Sequence, residues 1–517
     1  MGDRKKDIPY GKLLGGLCSI KDGESCLPNQ LQVARNLIVD EDGLLRKRPG
    51  FVRLFTNTYS DFIIDIGTPY LSLNDKTIDW GGGTVHTYTN GGLGQFSYMN
   101  GHIHTNGQDP MVKISGVTAN AVLGAPLSRF LFKHNDRAFV SNGAVLYETA
   151  VGTYPDNAVD NFAGGATWTI GDTGQSIIGV GSISRNLFIF KQKEIWIQYG
   201  YTKNERQNYR LTDSYGCISP DSIKNARLKG IGDCVIFLSQ NSELCAVTES
   251  GVIELGECVQ DILDTIYKGA AVNEATLSNE LHRARAAVHP DGYYILSFAT
   301  TSDNTHDAFD QALCLNLKAP YSSQFGTRYP ITLWKKTGAT NTSGQTFGAF
   351  GYLDINVANG FEVLVPTTTV GGDYTYSKID FSFYYDRQTA SVPHSDYWID
   401  WKLQTKNEDA GLKRVNKTWT EMLLKIQQVI PDTGSVFFPI KVTQEVDYNL
   451  TIDSPPEVYQ ENFVLLNKPA KYLLEGIHGL VGDGVQTSII LENYEALVNP
   501  DFRIHGITIL FLRSNLV

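Results

Sequence analysis

Two histidines, His102 and His104, stand two residues apart and could act as ligands of a metal ion. In a β-strand, residues i and i+2 lie on the same face, so both imidazoles could face one zinc ion. No third ligand follows at a spacing typical of a zinc site. The pattern therefore favours the polar face of a hairpin, and we predict no metal site.

Two further motifs resemble binding loops. Asp40-Glu41-Asp42-Gly43 has the carboxylates of a calcium loop but lacks the closing glutamate of an EF-hand, which favours a hairpin turn. Gly179-Val180-Gly181-Ser182-Ile183-Ser184 partly matches a dinucleotide fingerprint, but no β-α-β pattern surrounds it. The sequence contains no Gly-x-x-x-x-Gly-Lys-Ser/Thr motif of nucleotide-binding proteins, no Gly-x-Ser-x-Gly motif of serine hydrolases and no His-Glu-x-x-His motif of zinc proteases. We therefore predict that the chain is not an enzyme and has no catalytic residue and no cofactor.

Basic residues cluster at Arg46, Lys47 and Arg48, with Arg53 just beyond. In an acidic chain, this cluster is a candidate for contact with phosphate groups or with an acidic partner ring. A solvated strand edge, whose charges prevent aggregation, would have the same composition. Both interpretations stay open at this point.

The composition indicates which fold class contains these residues. The chain has 517 residues, of which 19% are charged and 11% aromatic, with 49 glycines and 19 prolines, a profile typical of turn-rich β structure. The net charge of −11 argues against sequence-independent DNA binding by the whole surface. An acidic surface repels DNA, which suits a channel through which DNA slides.

The cysteines and the apolar runs indicate where the chain folds. Seven cysteines without a Cys-x-x-Cys motif predict reduced, buried thiols in a chain folded in cytoplasm. No apolar run is long enough for a membrane span, and the N-terminal residues lack the apolar core of a signal peptide. We expect neither feature.

The pattern of elements divides the chain into three parts. Residues 1–55 form an extended leader that ends in a hairpin, since Asp42-Gly43 separates two apolar runs. Pro49 cannot donate to a β-ladder, so the second strand lies at an edge or ends there. Residues 56–380 form a β-propeller-like domain, and residues 381–517 form an antiparallel β-sandwich domain with longer alternating strands.

The propeller prediction rests on five recurring hairpins. Aligned positions recur 36 to 58 residues apart, and short sheets at such periods stack around an axis. The aligned residues are Ile103, Phe139, Phe188, Ile236 and Tyr294. The unequal spacing leaves an irregular β domain as the alternative. We expect one amphipathic helix over residues 258–267 and a short helical turn opened by Pro220.

Three stretches of the sequence are informative when they are taken in order. The first is Asn36-Leu37-Ile38-Val39-Asp40-Glu41-Asp42-Gly43-Leu44-Leu45-Arg46-Lys47-Arg48-Pro49-Gly50. The second runs from Ile177-Ile178-Gly179-Val180 through Glu194-Ile195-Trp196 and Tyr215-Gly216-Cys217-Ile218-Ser219-Pro220-Asp221-Ser222 to Phe237-Leu238-Ser239. The third runs from Arg283-Ala284-Arg285-Ala286-Ala287-Val288-His289-Pro290-Asp291-Gly292-Tyr293-Tyr294 through Cys314-Leu315-Asn316-Leu317 to Trp334. By the order of these stretches, which covers most of its length, the chain resembles the tail nozzle, or tail-hub, proteins of short-tailed bacteriophages, also called packaged-DNA stabilisation proteins.

The resemblance implies an all-β fold, an irregular β-propeller with an appended antiparallel sandwich or platform domain and an extended N-terminal leader. It implies a homo-hexameric ring beneath the portal and adaptor rings, with tail fibres, spikes or a needle on its outer face. Such a virion protein, assembled in the host cytoplasm, extends the DNA channel, retains the packaged genome and passes double-stranded DNA during ejection. We assign the cluster of Arg46, Lys47, Arg48 and Arg53 to docking on the adaptor or portal, or to DNA contact. We expect alanine at Arg46, Lys47 and Arg48 to leave the monomer folded and to impair tail assembly.

A different class of protein would share the propeller pattern. A propeller-type tail protein that binds or hydrolyses glycans would need an aromatic-lined pocket with converging carboxylates near the axis. A structural β protein of some other assembly is the third alternative. The oligomeric state discriminates between a ring that surrounds a channel and a monomer that binds glycans.

Overall fold

The computed structural model describes a large part of the chain, in segments. The described residues are 6–10, 15–19, 30–53, 63–65, 71–74, 77–80, 83–90, 95–266, 284–300, 309–319, 321–323, 326–335, 354–356, 362–368, 374–380, 386–387, 396–397, 401–406, 417–428, 438–447, 459–465, 473–479, 483–484, 486–493 and 502–513.

The N-terminal leader contributes five short strands. They are β1 (Lys6–Tyr10), β2 (Leu31–Arg35), β3 (Leu37–Val39), β4 (Leu45–Lys47) and β5 (Gly50–Arg53). The predicted hairpin is present, with β3 and β4 antiparallel and Asp40–Gly43 between them. The second strand ends at Lys47, before Pro49, as the missing amide donor of proline requires.

Five four-stranded antiparallel sheets follow, each with its strands in chain order, and we call them blades 1 to 5. Blade 1 contains β6 (Ile63–Asp65), β7 (Leu71–Asn74), β8 (Thr77–Trp80) and β9 (Gly83–Thr87). Blade 2 contains β10 (Gln95–Tyr98), β11 (His102–Thr105), β12 (Val112–Ser115) and β13 (Thr118–Ala121). Blade 3 contains β14 (Phe132–His134), β15 (Arg137–Asn142), β16 (Val145–Glu148) and β17 (Thr167–Thr169). Blade 4 contains β18 (Ile177–Ile183), β19 (Asn186–Lys191), β20 (Ile195–Tyr199) and β21 (Gln207–Thr212). Blade 5 contains β22 (Lys224–Leu228), β23 (Gly232–Leu238), β24 (Leu244–Thr248) and β25 (Gly251–Glu254).

Four of the five repeated hairpins of the sequence correspond to one position in these sheets. The fifth, at Tyr294, lies in the strand Tyr293–Ala299, which belongs to a larger sheet. Ile103, Phe139, Phe188 and Ile236 lie in the second strands of blades 2 to 5, and each is buried. In blades 3 to 5 this strand carries a continuous apolar run because both of its faces pack against neighbouring sheets. The repeat in the sequence begins at Ile103 and therefore does not mark blade 1.

The helical content of the described residues is small. A 3-10 turn over Pro220–Ser222 agrees with the expectation for Pro220. The expected amphipathic helix is a 3-10 turn, Glu257–Val259, followed by α1 (Gln260–Leu263). No helix among the described residues has the length and apolar character needed to cross a membrane.

Nineteen further strands complete the β structure. They are β26 (Ala284–His289), β27 (Tyr293–Ala299), β28 (Phe309–Asn316), β29 (Tyr321–Ser323), β30 (Gly326–Arg328), β31 (Ile331–Lys335), β32 (Asp354–Asn356), β33 (Glu362–Thr368), β34 (Tyr374–Asp380), β35 (Asp386–Arg387), β36 (Asp396–Tyr397), β37 (Lys402–Thr405), β38 (Lys417–Gln428), β39 (Phe438–Asp447), β40 (Tyr459–Leu465), β41 (Leu473–Gly479), β42 (Asp483–Gly484), β43 (Gln486–Asn493) and β44 (Phe502–Arg513).

Leader strands enter all three of the larger sheets. The nine-stranded sheet has the order β26-β27-β28-β31-β2-β37-β43-β39-β40, so β2 joins strands from the middle and the end of the chain. The seven-stranded sheet has the path β3-β4-β44-β38-β41, with β1 on β44 and β42 on β38. The six-stranded sheet has the order β32-β33-β34-β5-β35-β36, and β29 and β30 form a separate pair. The leader is therefore part of the sheets and not an appended arm.

The nine-stranded and seven-stranded sheets pack face to face as a sandwich. Their shared core includes Leu333, Leu403 and Leu491 from the first sheet, and Leu424 and Ile507 from the second. Alternating apolar residues along both sets of strands supply this core. Strands on both sides of residue 380 contribute to the nine-stranded sheet.

The blades contact one another in chain order. Apolar clusters join blade 1 to blade 2, blade 2 to blade 3, blade 3 to blade 4 and blade 4 to blade 5. Beyond blade 5, β22 lies against β26, β26 lies against β32 and β33, and β32 lies against β6 of blade 1. The fold is therefore an all-β, irregular β-propeller in which two larger sheets take the positions between blade 5 and blade 1.

Candidate interaction site

The turn of the leader hairpin is held by its own first carboxylate. Asp40 Oδ1 accepts hydrogen bonds from the backbone N–H groups of Asp42 at 3.0 Å and Leu44 at 2.9 Å. Gly43 has a φ of 79°, which suits glycine. Arg503 Nε of β44 lies 3.2 Å from Asp40 Oδ2, so this carboxylate serves the turn and an ion pair. The turn interpretation of the acidic motif is confirmed.

The basic cluster lies mostly inside the protein. Lys47 and Arg48 are buried, Arg46 is half-buried, and Arg48 Nη1 donates to the carbonyl of Pro49 at 2.9 Å. Arg53 ends β5, and its side chain is outside the described residues. Because β4 pairs with both β3 and β44, the edge-strand interpretation is wrong for this strand. The docking role stays a prediction, and burial now argues against the expectation that triple alanine replacement leaves the monomer folded.

Carbonyl groups of the leader are anchored by side chains from β27, β28 and β31. The indole N–H of Trp334 donates to the carbonyl of Leu37 at 3.1 Å. The carbonyl of Val39 accepts the Tyr293 hydroxyl at 3.3 Å and Asn316 Nδ2 at 2.5 Å. All three side chains are buried, so each hydrogen bond satisfies a carbonyl that water does not reach.

The segment that follows blade 4 is anchored to β26 and β27 in the same way. Ser219 Oγ donates to the carbonyl of Ala284 at 2.5 Å, and the Tyr294 hydroxyl donates to the carbonyl of Ser222 at 2.8 Å. Arg285 Nε lies 3.6 Å from Asp221 Oδ2.

The three stretches that carry the resemblance therefore meet in space. We call this contact region the leader joint, defined by residues 37–39, 219–222, 284–294 and 314–317 and by Trp334. Ile38, Tyr293 and Trp334 belong to one apolar cluster within it. The hydrogen bond between Leu37 and Trp334 thus joins residues that are 297 positions apart in the sequence.

A cleft of about 930 Å³ opens beside the leader joint. Its walls come from the β22–β23 turn, the β26–β27 turn and the residues that follow β28. The lining residues are Arg227, Leu228, Lys229, Gly230, Ile231, Gly232, Val288, His289, Pro290, Gly292, Leu317 and Lys318. Gly292 has a φ of 88°, and a Cβ there would lie 2.5 Å from Lys318 Cε, so the lysine stem packs over this glycine.

Three cations surround the cleft. The Arg227 side chain is 83% exposed, with its Nε at 3.8 Å from Asp233 Oδ1, the long limit of an ion pair. Lys318 Nζ lies 2.6 Å from Glu41 Oε1 of the leader turn. Lys229 is exposed and forms no ion pair among the described residues. The sequence did not predict this site because Lys318 is distant in sequence from Arg227 and Lys229, which lie together at the β22–β23 turn.

The two candidate metal ligands occupy different environments. His104 is fully buried, and its Nδ1 lies 2.6 Å from the Tyr88 hydroxyl. His102 is half-buried between the rings of Trp80 and Tyr98. Within the described segments, no three His, Cys, Asp or Glu side chains group in a way that could hold a metal ion.

Burial of His104 predicts acid sensitivity. Desolvation, followed by the nearby His86, lowers the pKa of His104 from 6.5 to about 3. Between these values the unfolded chain binds a proton that the folded chain does not, so stability falls as pH falls. We expect His104 to contribute roughly 1.4 kcal/mol per pH unit to this loss. His104→Gln, which keeps an acceptor for Tyr88, should reduce the slope of unfolding free energy against pH from 6 to 4, measured by denaturant titration.

The matched control is His102→Gln, the same substitution two residues away on the same strand. This variant leaves the buried ring of His104 in place, so the contribution of His104 to the slope should remain. An equal change in both variants would contradict the assignment of the acid sensitivity to the buried ring.

The buried thiols agree with the sequence interpretation. Cys217, Cys234, Cys245 and Cys314 are buried, and burial raises the pKa of Cys217 and Cys234 to about 12. Such thiols are protonated at neutral pH and act as small apolar side chains. Cys26 lies outside the described residues.

Comparisons with known proteins add little to this description. No family model and no curated protein matches the chain. Among solved structures, the N-terminal domain of Nup159 is similar with 8% identity, a TM-score of 0.33 and coverage of 67% of this chain and 98% of that one. An exo-beta-1,3-galactanase from Phanerochaete chrysosporium shows 10% identity, a TM-score of 0.22 and coverage of 90% and 100%. A fructofuranosidase from Schwanniomyces occidentalis shows 9% identity, a TM-score of 0.22 and coverage of 90% and 97%. These TM-scores are too low to carry an argument, so the propeller assignment rests on the strand order of this chain.

Proposed function

We propose that this chain is a structural virion protein, the nozzle or hub of a short bacteriophage tail. In this role, copies form a ring that extends the DNA channel, retains the packaged genome and passes it during ejection. The observation that supports the proposal is the leader joint, because the separate stretches of the resemblance meet in it. If the three stretches matched the family by chance, we would not expect them to contact one another in one packed unit.

The architecture suits a mechanical role. The leader supplies strands to all three larger sheets, so pulling on this segment loads the sandwich and the propeller together. Strand pairing distributed along a chain resists local opening because many hydrogen bonds must break at once. A wall segment under pressure from packaged DNA requires this kind of connection.

The charge suits low friction toward DNA. With a net charge of −11, the ring repels phosphates, so the genome slides without binding. Retention then comes from a steric constriction or from a plug protein. The proposed partners are the portal and adaptor rings on one side, and fibres, spikes or a needle on the outer face.

Negative-stain imaging and native mass of the purified full-length chain, alone and with its portal and adaptor neighbours, test the proposal. We expect a closed homo-oligomeric ring with a central hole, six-fold as the resemblance implies. A heterologous interface is required for such closure. A monomer under both conditions would contradict the proposal.

A second candidate function is glycan binding by a propeller-type tail protein. The supporting observation is an exposed aromatic pair on blade 4, where the rings of Tyr199 and Tyr209 lie 5.8 Å apart. Their exposures of 36% and 51% leave ring faces available to stack on a sugar. A monomer that is retained by an oligosaccharide column would favour this function over the ring.

A further inference from the structure

We propose that the cleft beside the leader joint binds an acidic, extended peptide segment of a partner protein. The segment would carry carboxylates to the rim cations and place apolar side chains between them against the walls. This inference does not depend on the proposed function, since the cleft is a feature of the single chain.

The volume and walls of the cleft fit a peptide segment. About 930 Å³ lies within the range of ligand pockets and exceeds what one side chain fills. Ile231, Val288, Pro290 and Leu317 supply an apolar lining. Such walls gain free energy when they cover apolar side chains.

The cleft is formed before any ligand arrives, because hydrogen bonds join its three walls. The N–H of Lys229 donates to the carbonyl of Leu317 at 2.9 Å, and the N–H of Leu317 donates to the carbonyl of Gly292 at 2.9 Å. The Tyr329 hydroxyl donates to the carbonyl of Lys229 at 2.8 Å. A preorganised site spends less of its binding energy on ordering.

The charges of the rim select an acidic ligand. Arg227 has one carboxylate at 3.8 Å, and Lys229 has no ion-pair partner in the described part of the chain. His289 Nδ1 accepts the backbone N–H of Asp291 at 3.1 Å, and the Asp291 carboxylate is not part of the lining of the cleft. Glu41 pairs with Lys318. Two exposed cations on one side of the cleft therefore have charge left for a ligand, whereas the third is engaged by the leader turn.

Peptide fits these observations better than DNA. A duplex is held by many cations along its phosphates and by polar contacts, and repulsion from the rest of an acidic chain opposes it. Here two available cations accompany an apolar floor. Alternating carboxylates and apolar side chains match both features at once.

The test uses a fluorescein-labelled peptide, Glu-Leu-Gly-Glu-Leu-Gly-Glu, with the full-length chain and anisotropy as the readout. A matched peptide with glutamine at each glutamate position, and an unlabelled DNA duplex as competitor, identify the ligand class. We expect the acidic peptide to bind, the glutamine peptide to bind about tenfold more weakly, and the duplex not to displace the peptide. Added salt should weaken binding, since the cations are exposed.

Three variants locate the site. Arg227→Glu with Lys229→Glu should weaken peptide binding by about tenfold or more, because attraction becomes repulsion. Glu41→Gln should strengthen peptide binding about threefold, because Lys318 loses its ion-pair partner. A misfolded variant would not bind the peptide more tightly than the parent. Arg210→Glu, an exposed arginine of β21 paired with Asp213, is the control and should leave binding unchanged.

Several results would overturn the proposal. These are equal affinity for the glutamate and glutamine peptides, unchanged binding in the double variant, displacement by the duplex, or no binding at all. If the chain forms rings but does not bind the peptide, the peptide-binding proposal is wrong and the proposed function stands. If the chain binds the peptide but does not form rings, the proposed function is wrong and the peptide-binding proposal stands.

Discussion

Glu148→Gln is expected to lower the free energy of unfolding by about 3 to 5 kcal/mol, the cost of leaving buried charges without their partner. Glu148 ends β16 of blade 3, and its Oε2 lies 2.8 Å from Arg206 Nη1 and 3.6 Å from Arg137 Nε. All three side chains are at most 4% exposed. The amide would keep the shape of the carboxylate and remove its charge.

The surroundings of this group explain the size of the effect. The Arg206 guanidinium lies 5.0 Å from the ring of Phe139 and 5.2 Å from the ring of Trp168. Desolvation there lowers the pKa of Arg206 to about 10, and the same burial raises the pKa of Glu148. The Coulomb attraction to Glu148 opposes the effect of desolvation on the pKa of Arg206. Arg206 precedes β21, so the carboxylate also joins blade 3 to blade 4.

Asp213→Asn is the matched control, since it makes the same carboxylate-to-amide change at an exposed ion pair. Asp213 lies 3.5 Å from Arg210, with side chains 67% and 53% exposed. Exposed pairs contribute little, so we expect a change within about 0.5 kcal/mol. The free energy of unfolding is measured from denaturation curves in guanidinium chloride for the parent and both variants. Similar losses in the two variants would contradict the buried-charge explanation.

The propeller was predictable from sequence where its physics is local. A second strand packed on both faces must be apolar along its length, so Phe139, Phe188 and Ile236 were visible as a repeat. Blade 1 has strands such as Thr77–Trp80 with polar residues between apolar ones, and no such repeat marks it. The turn at Asp40 was predictable because its hydrogen bonds involve neighbours in sequence.

The rest depends on contacts between distant residues. The sequence suggested that Lys47 and Arg48 form an exposed basic patch. In the fold, however, β4 pairs with β44, which lies more than 450 positions later in the chain. The cleft was not predicted because the fold brings Lys318 next to Arg227 and Lys229, which lie together at a distant turn. The partners of these side chains become apparent once the sheet order is known.

Trp334→Ala is expected to cost about 3 to 5 kcal/mol of unfolding free energy and to loosen the leader. Trp334 is fully buried, packs in one cluster with Ile38 and Tyr293, and donates its indole N–H to Leu37. Alanine leaves a cavity and an unsatisfied carbonyl together. Trp334→Phe keeps most of the side-chain volume but removes the indole N–H. We therefore expect a smaller loss of unfolding free energy, about 1 to 3 kcal/mol, which is the cost of leaving the buried Leu37 carbonyl unpaired.

Trypsin provides the structural readout, because the bonds after Arg46 and Lys47 are protected while β4 is paired on both sides. In Trp334→Ala we expect faster cleavage at these two bonds under native conditions, since local opening of the leader requires less free energy. Trp80→Ala in blade 1 is the control, a half-buried tryptophan packed against a different cluster. Faster leader cleavage in both variants, or in neither, would show that Trp334 does not anchor the leader. Cleavage specific to Trp334→Ala would place the connection between the leader and the propeller at the leader joint.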